Sequence, residues 1–470
     1  MRDTLITAFV FGSLPFILKR PYIGVLMWVW ISVMNPHRLA WGFAYSLPFA
    51  EIIALTTMFG MLVTRDEKHF PVVPATVSLF LFMLWMNVTS LFALYPDEIY
   101  FNWSTIMKVI LMTFVTIIVL HNKQHIRLLI WALVISLGFY GVKGGIFTLH
   151  GGGDNTVWGP EGSFIEDNNA LALALIMTIP LMRYLQLTEP SRWIRWGLTG
   201  AMLLCGFSAV GSYSRGALIA IAASAIFLWL KSPRKLPLGI VMVVILPLLI
   251  TFMPAKWADR MHTIDTYQQD ASAMGRINAW QMAWNLALDR PLVGGGFNIY
   301  QQSTFAKYAP NPLDVHAAHS IYFQALGEHG FVGLALFLSL GFFTWRNGSW
   351  IIAKSRGRPD LTWASDLAKM LHVSQVAYAT GGAFLSLDYF DLPYYILAAM
   401  LLTKLFVEKE LKTALETTTL EKPNQKRFNG RAMAKRTRAL QAYQNGQKNM
   451  SAEPVVRYAT HYNKAHHIKP

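Results

Sequence analysis

From Ile6 to Phe406 the chain alternates long apolar runs with short polar connections. A helix needs roughly 17–25 apolar residues to cross the hydrocarbon core of a bilayer. No water is present there to satisfy the backbone, so each run predicts a membrane-crossing helix. Spans are expected near residues 4–18, 21–34, 47–63, 72–94, 103–120, 127–148, 168–187, 194–212, 214–230, 237–254, 319–345, 365–387 and 391–407, about twelve or thirteen in all. The expected fold class is all-α: a polytopic transmembrane helical bundle with one large outward loop containing short helices.

Two stretches break the pattern. The loop 254–318 mixes polar residues with a helical stretch, Ala273–Leu288, in which Ile277, Trp280, Met282, Trp284 and Leu288 suggest an apolar face. The tail 408–470 holds thirteen Lys/Arg against five Glu and few large apolar residues. It is expected to be disordered or to lie as a surface helix near anionic lipid. The organisation read from this is 1–130, N-terminal transmembrane helices; 131–253, central transmembrane helices; 254–318, the large loop; 319–407, C-terminal transmembrane helices; and 408–470, a basic cytoplasmic tail. Residues 1–19 lack a small-residue cleavage site before Pro21 and read as a retained segment. No internal repeat stands out, which weighs against an inverted-repeat transporter.

Composition agrees with a bilayer as the main solvent: 54% of residues are hydrophobic and 14% charged, against about a quarter charged in soluble domains. The net charge of +15 does not point to nucleic acid, because its placement explains it. Lys19/Arg20, Arg65/Lys68, Lys123/Arg127, Arg183/Arg192/Arg195, Lys231/Arg234/Lys235 and Arg346/Lys354/Arg356/Arg358 fall in alternate connections, the positive-inside pattern of cytoplasmic loops. Ten spans before the large loop put the N-terminus outward, unless the first two form a shallow hairpin or one span boundary is misplaced. The single cysteine, Cys205, lies in an apolar run, so no intramolecular disulfide forms and the thiol is expected to pack.

Three constellations carry candidate chemistry, all on the outward side. In Gly211-Ser212-Tyr213-Ser214-Arg215-Gly216 an arginine stands at a span edge. Such a side chain can bind phosphate oxygens bidentately, or simply snorkel to lipid phosphate. In Gly275-Arg276-Ile277-Asn278-Ala279-Trp280, Arg276 opens the loop helix, where the dipole favours an anion, and Gly294-Gly295-Gly296 follows as a flexible turn. A lone arginine on a loop helix is also a common solvated charge. In the run from His316 to Gly330, His319 stands where the loop re-enters the membrane and is a candidate general base. On a helix His316 would share its face. An interface histidine is the plainer alternative, and with no HExxH or Cys/His cluster neither a metal nor another cofactor is expected. Lys143 and Glu51 are functional candidates as charges within spans, or partners of each other. Asp388 and Asp391 bracket an outward turn whose solvation accounts for them.

These residues, Ser214-Arg215-Gly216, Gly275-Arg276 with Trp280, Pro291 with Gly294 to Gly296, and His319 with Glu328 and Gly330, resemble in order and spacing the O-antigen ligase and polymerase superfamily over roughly residues 195–345. The resemblance implies that Arg215 and Arg276 engage the pyrophosphate of an undecaprenyl-linked glycan donor and that His319 assists a hydroxyl acceptor. The family often carries asparagine after that histidine, where Ser320 stands here. The stretches Arg20 to Trp28 and Met34-Asn35-Pro36-His37-Arg38 are similar to a narrower group, exosortase-associated O-glycosylation ligases of exopolysaccharide loci. The resemblance implies catalysis by His319, Arg215 and Arg276, substrate contacts from Arg215, Arg276, His316, Lys143, Glu328 and Arg38, and a site facing the periplasm of a bacterial inner membrane. The implied partners are a polyprenyl pyrophosphate-linked glycan, a protein or polysaccharide hydroxyl, and membrane lipid. A polymerase of the same superfamily and a lipid-glycan or polysaccharide transporter remain as alternatives.

Overall fold

The computed structural model describes all residues except 67, 232–234, 237–238, 241–242, 245–250, 252, 256, 258–270 and 449–470. The span expected at 237–254 therefore falls largely outside the described residues, as does the start of the large loop. Among the described residues there is no strand, and the chain is an all-α polytopic membrane protein.

The helices follow the apolar runs: α1 (Arg2–Lys19), α2 (Pro21–Val29), α3 (Phe49–Val63), α4 (Pro74–Leu91), α5 (Tyr100–Val119), α6 (Lys123–His150), α7 (Asn168–Thr188), α8 (Arg192–Val210), α9 (Arg215–Lys231), α10 (Ala271–Asp289), α11 (Gln302–Tyr308), α12 (Ile321–Lys354), α13 (Thr362–Gly381) and α14 (Asp391–Lys448). Proline opens α2 and α4, where its missing N–H costs nothing. Asn122 caps α6 by accepting from His125 N at 2.8 Å, and Asp167 caps α7. After α2, a π turn (Trp30–Met34) ends at Asn35 in the left-handed region (φ 49°), and a 3-10 turn, Pro36–Leu39, follows. The Asn-Pro pair thus ends this span.

Six of the described helices, α4, α5, α6, α7, α8 and α12, have the length and hydropathy to cross a membrane, and Pro21–Met34 and Phe49–Val63 are shorter apolar helices. This is fewer than the twelve or thirteen expected spans. Part of the difference lies at 237–254, largely outside the described residues, and α13 carries His372 and Ser374, buried inside the bundle rather than facing lipid. Helix α7 is the bundle's axis. Its residues Ala170 to Thr178 are all buried, and it packs against α6, α8, α9 and α13. Helices α6 and α8 cross closely, because a Cβ at Gly141 would lie 2.2 Å from Cys205 Sγ. Cys205 is fully buried there, as its place in the sequence suggests.

Contacts between connections fix the two ends of the bundle. At the upper end Arg2 Nη1 donates to Leu39 O (3.3 Å), and Asp3 Oδ1 accepts from Gly42 N and Ala44 N (3.1 Å each). Arg38 lies against Gly162, and Asn168 Nδ2 donates to Ser212 O at 2.6 Å. The N-terminus therefore shares an end with the connections after α2, α6 and α8. At the lower end Tyr22 stacks on His125, and Arg127 pairs with Glu189 at 2.5 Å.

Helix α12 is broken. Gly330 has φ 67° and ψ −171°, so the segment that re-enters the bundle and the long span behind it are separate pieces. In an unbroken helix Phe331 N would bond Gly327 O. Here Phe331 N donates to Pro291 O (2.9 Å), while Gly295 N and Gly296 N donate to Gly327 O and Glu328 O (2.9 and 2.8 Å). The triple glycine, expected as a flexible turn, is instead a docked backbone segment. From Glu408 a second compact unit begins; it is helical through Lys448, with the rest of the tail outside the described residues.

Candidate functional site

Arg215 is the first residue of α9. Ser214 Oγ accepts from Ala217 N at 3.1 Å, a local cap that fixes the start of the helix. The turn before it is held by Trp257 Nε1 donating to Val210 O (3.1 Å) and by Tyr213, whose hydroxyl donates to Gly153 O at 2.7 Å. Arg215 is thereby set, half-buried, at the upper end of the bundle beside Gly216, which packs on Phe384.

Helix α10 presents a face that differs from the expected one. Trp284 and Leu288 are exposed, while Gly275, Asn278, Ala279, Met282, Ala283 and Leu286 are buried. Small residues make the contact because α10 lies close to the strap formed by residues 311–320. Asn278 clamps that strap, with Nδ2 donating to Asn311 O (2.8 Å) and Asp314 O (2.9 Å) while Oδ1 accepts from Asn311 N (2.9 Å). His316 sits against Gly275, where an added Cβ would come within 2.7 Å of its ring, and pairs with Asp314 at 2.7 Å. Trp280 Nε1 donates to Ala318 O (2.6 Å), and its ring stacks on Phe323 (5.2 Å, 8°).

The strap is not helical, which corrects the expected shared helical face of His316 and His319; α12 begins only at Ile321. His319 has φ 43°, and its neighbour's tie to Trp280 holds that unusual conformation. Burial first, and then the charge of Arg276, hold its imidazole below the ordinary value, with Asp167 opposing. Arg276, His316 and Asp167 therefore all lie within electrostatic reach of His319. Phe384 links this group to Arg215, since it touches both Gly216 and the Trp280 ring. The structure thus gathers Arg276, His316 and His319 around the strap, and Arg215 is joined to them through the Gly216, Phe384 and Trp280 contacts.

The remaining candidates lie elsewhere. Arg38 is at the same end, over the Tyr45 ring at 4.6 Å and beside the connection that carries Asp167. Lys143 is exposed on α6, two turns below His150, and Glu51 does not pair with it: Glu51 pairs with Lys108 at 2.7 Å. Glu328 is 3% exposed, accepts from the Tyr389 hydroxyl (2.6 Å), and belongs to a network below the strap. There His329 Nε2 bonds Tyr389 and Nδ1 bonds Thr89, both at 2.7 Å. Asp388 and Asp391 are each 1% exposed, so turn solvation does not explain them; burial pushes the Asp388 carboxyl up to about 8. Sequence reading missed Asn278 and Tyr389 as organising residues. The only hint of Asn278 is a polar side chain three residues beyond Gly275, on the same helical face. Among the described residues no three His, Cys, Asp or Glu side chains form a group able to hold a metal ion.

Chemically, the upper end offers guanidinium groups for an oxyanion and an imidazole held neutral at pH 7 for a proton. Residues 200–338 match the O-antigen ligase family, and residues 1–189 match a family of unknown function (DUF5935). No curated protein matches the chain. The matched ligase segment, less than a third of the chain, contains Arg215, Arg276 and His319, and it supports placing the protein in the O-antigen ligase/polymerase superfamily.

Proposed function

We propose that the protein is a glycosyltransferase that moves a glycan from a polyprenyl pyrophosphate donor to a hydroxyl acceptor at the periplasmic face of a bacterial inner membrane. The observation that carries this reading is the convergence of Arg276 and His319, from separate elements of a segment matched to the O-antigen ligase family, with Arg215 linked to them through Phe384. In the proposed step the acceptor oxygen attacks the anomeric carbon and its proton passes to His319. The bond from that carbon to the pyrophosphate oxygen breaks, and the leaving pyrophosphate takes the electron pair. Arg215 and Arg276 stabilise the charge that develops on it. Direct displacement inverts the anomeric centre. Pyrophosphate is already a good leaving group, so the reading requires no metal. His316 and Arg38 are assigned to the rim that meets donor or acceptor, Lys143 lies two turns lower on α6 and away from that rim, and Glu328 supports the re-entering segment from below.

The acceptor is proposed to be a protein or polysaccharide hydroxyl, in line with the resemblance to exosortase-associated O-glycosylation ligases. A polymerase uses the same chemistry with a second lipid-linked glycan as acceptor. The experiment is to incubate purified protein with a polyprenyl pyrophosphate glycan and a panel of acceptors, following release of sugar from lipid. Arg215→Ala, Arg276→Ala and His319→Ala should each lower transfer by about 100-fold or more while leaving membrane insertion unchanged. Wild-type rates in all three would refute the assignment, and translocation of intact lipid-glycan without sugar release would favour a transporter.

A further inference from the structure

The lower end of the bundle holds a cavity of about 410 Å³ that the proposed transfer does not use. Three parts of the chain converge on it: Lys19 to Tyr22 at the α1–α2 junction, Thr64, Asp66 and Lys68 between α3 and α4, and His121, Asn122 and His125 at the start of α6. It lies at the far end of α1 from Arg2, about 27 Å along the helix and on the opposite side of the bundle from His319.

Its lining is strongly one-sided in charge. Lys19, Arg20 and Lys68 with two histidines face a single carboxylate, Asp66, among the described residues. None of the three cations forms an ion pair with a described residue. Lys68 Nζ spends one donor on Thr64 O (2.5 Å) and keeps two. The surplus is local, since Arg127 at the same end is matched by Glu189. One wall is built: Tyr22 and His125 stack at 4.4 Å and 22°. Two polar atoms, His125 Nδ1 and Thr64 Oγ1, are enclosed there with no partner among the described residues. The free N–H groups at the start of α6 add positive potential from the same side.

We propose that this cavity binds a phosphate group, carried by an anionic phospholipid headgroup or by a soluble phosphorylated molecule. Arg20 offers a planar fork and the two lysines offer point charges, while Thr64 and His125 supply directional hydrogen bonds. Basic pockets between membrane helices at a bilayer surface are suited to lipid phosphate. The site lies in the segment matched to a family of unknown function, at the opposite end of the bundle from Arg38 and the residues assigned to transfer.

The test uses the full-length protein in an Arg215→Gln/Arg276→Gln background, so that binding at the upper end does not contribute. Inorganic pyrophosphate is titrated into detergent-solubilised protein. Separately, native mass spectrometry follows retention of phosphatidylglycerol against phosphatidylcholine. Lys19→Gln/Arg20→Gln/Lys68→Gln should weaken at least one of these ligands by about tenfold or more, and added salt should do the same. His125→Phe, which keeps the ring stack and the cations, should weaken it by about threefold, and Arg20→Lys, which keeps the charge but loses the fork, should also weaken it by about threefold. Loss confined to phosphatidylglycerol identifies a lipid site, and loss confined to pyrophosphate a soluble one. The proposal is overturned if neither ligand binds above the phosphatidylcholine background. It is equally overturned if Arg183→Gln/Arg192→Gln, distant basic residues at the same end, weakens binding as much as the triple substitution.

Discussion

Replacing Gly330 by alanine tests whether the break in α12 is a built joint. At φ 67° and ψ −171° the residue occupies a region open essentially to glycine alone, and strain there costs an alanine about 1–3 kcal/mol. An added Cβ would also lie 2.4 Å from Leu292 O and 2.6 Å from Leu292 C and Pro291 O. These are backbone atoms held by the Phe331 N to Pro291 O bond, so no side chain can swing aside, and overpacking adds about 1–3 kcal/mol. The sum, roughly 2–6 kcal/mol, falls on the joint that also carries the Gly295 and Gly296 bonds. Gly341 is the control within the same helix: nothing lies within 4 Å of its would-be Cβ. Alanine there should be neutral or stabilising by about 0.5–1 kcal/mol. Thermal unfolding of both variants in one detergent should show Gly330→Ala lowered by about 2–6 °C and Gly341→Ala unchanged or raised. Equal midpoints for Gly330→Ala and wild type would refute the reasoning.

Trp280→Phe keeps the ring on Phe323 but releases Ala318 O, so turnover should fall about tenfold while donor KM stays near wild type; an unchanged turnover number removes Trp280 as a positioning residue. Because His319 is held below 6.5, transfer should rise with pH along an acid limb below that value. Asp167 raises the imidazole, so Asp167→Asn, which still caps α7, should move the limb to lower pH. A move to higher pH in the rate profile contradicts the assigned base. The same depressed imidazole makes folding less favourable as pH falls through 6.5, since the unfolded chain then binds the proton more readily. Arg127→Met strands the Glu189 carboxylate, whose side chain is 8% exposed, and should cost about 1–3 kcal/mol after allowing for the half-open arginine. Chemical denaturation of Arg127→Met beside Arg127→Met/Glu189→Gln checks this, because the second change should restore part of the loss.

The sequence was most legible where the solvent dictates the answer. A bilayer leaves an apolar run little choice but helix, so the expectation 127–148 became Lys123–His150 and 168–187 became Asn168–Thr188. It was least legible where a conformation depends on a distant partner. The break at Gly330 exists because residues 291–296 dock there, and the strap around His319 is extended because Asn278 and Trp280 hold it. Neither tie leaves a local periodicity to read. The face of α10 was misjudged for a related reason: Trp284 and Leu288 scored as core, while the close approach is made by Gly275, Ala279 and Ala283. The candidate arginines and histidine were visible as residue types, but their convergence was not. Asp388 looked solvated because a turn usually is, and only the packing of neighbouring helices shows it enclosed.

The exchange of backbone bonds at Gly330 also makes residues 297–326 an excursion with a closed neck: Gly295 meets Gly327 on one side and Pro291 meets Phe331 on the other. Chain entering and chain leaving are fastened to each other by main-chain atoms, so the fastening is indifferent to side-chain identity within the excursion. Between the neck and the strap, exposed residues can be lengthened, shortened or replaced without altering where the excursion begins or ends. The joint thus separates what the protein must keep, the seating of the strap in the membrane bundle, from what it is free to vary.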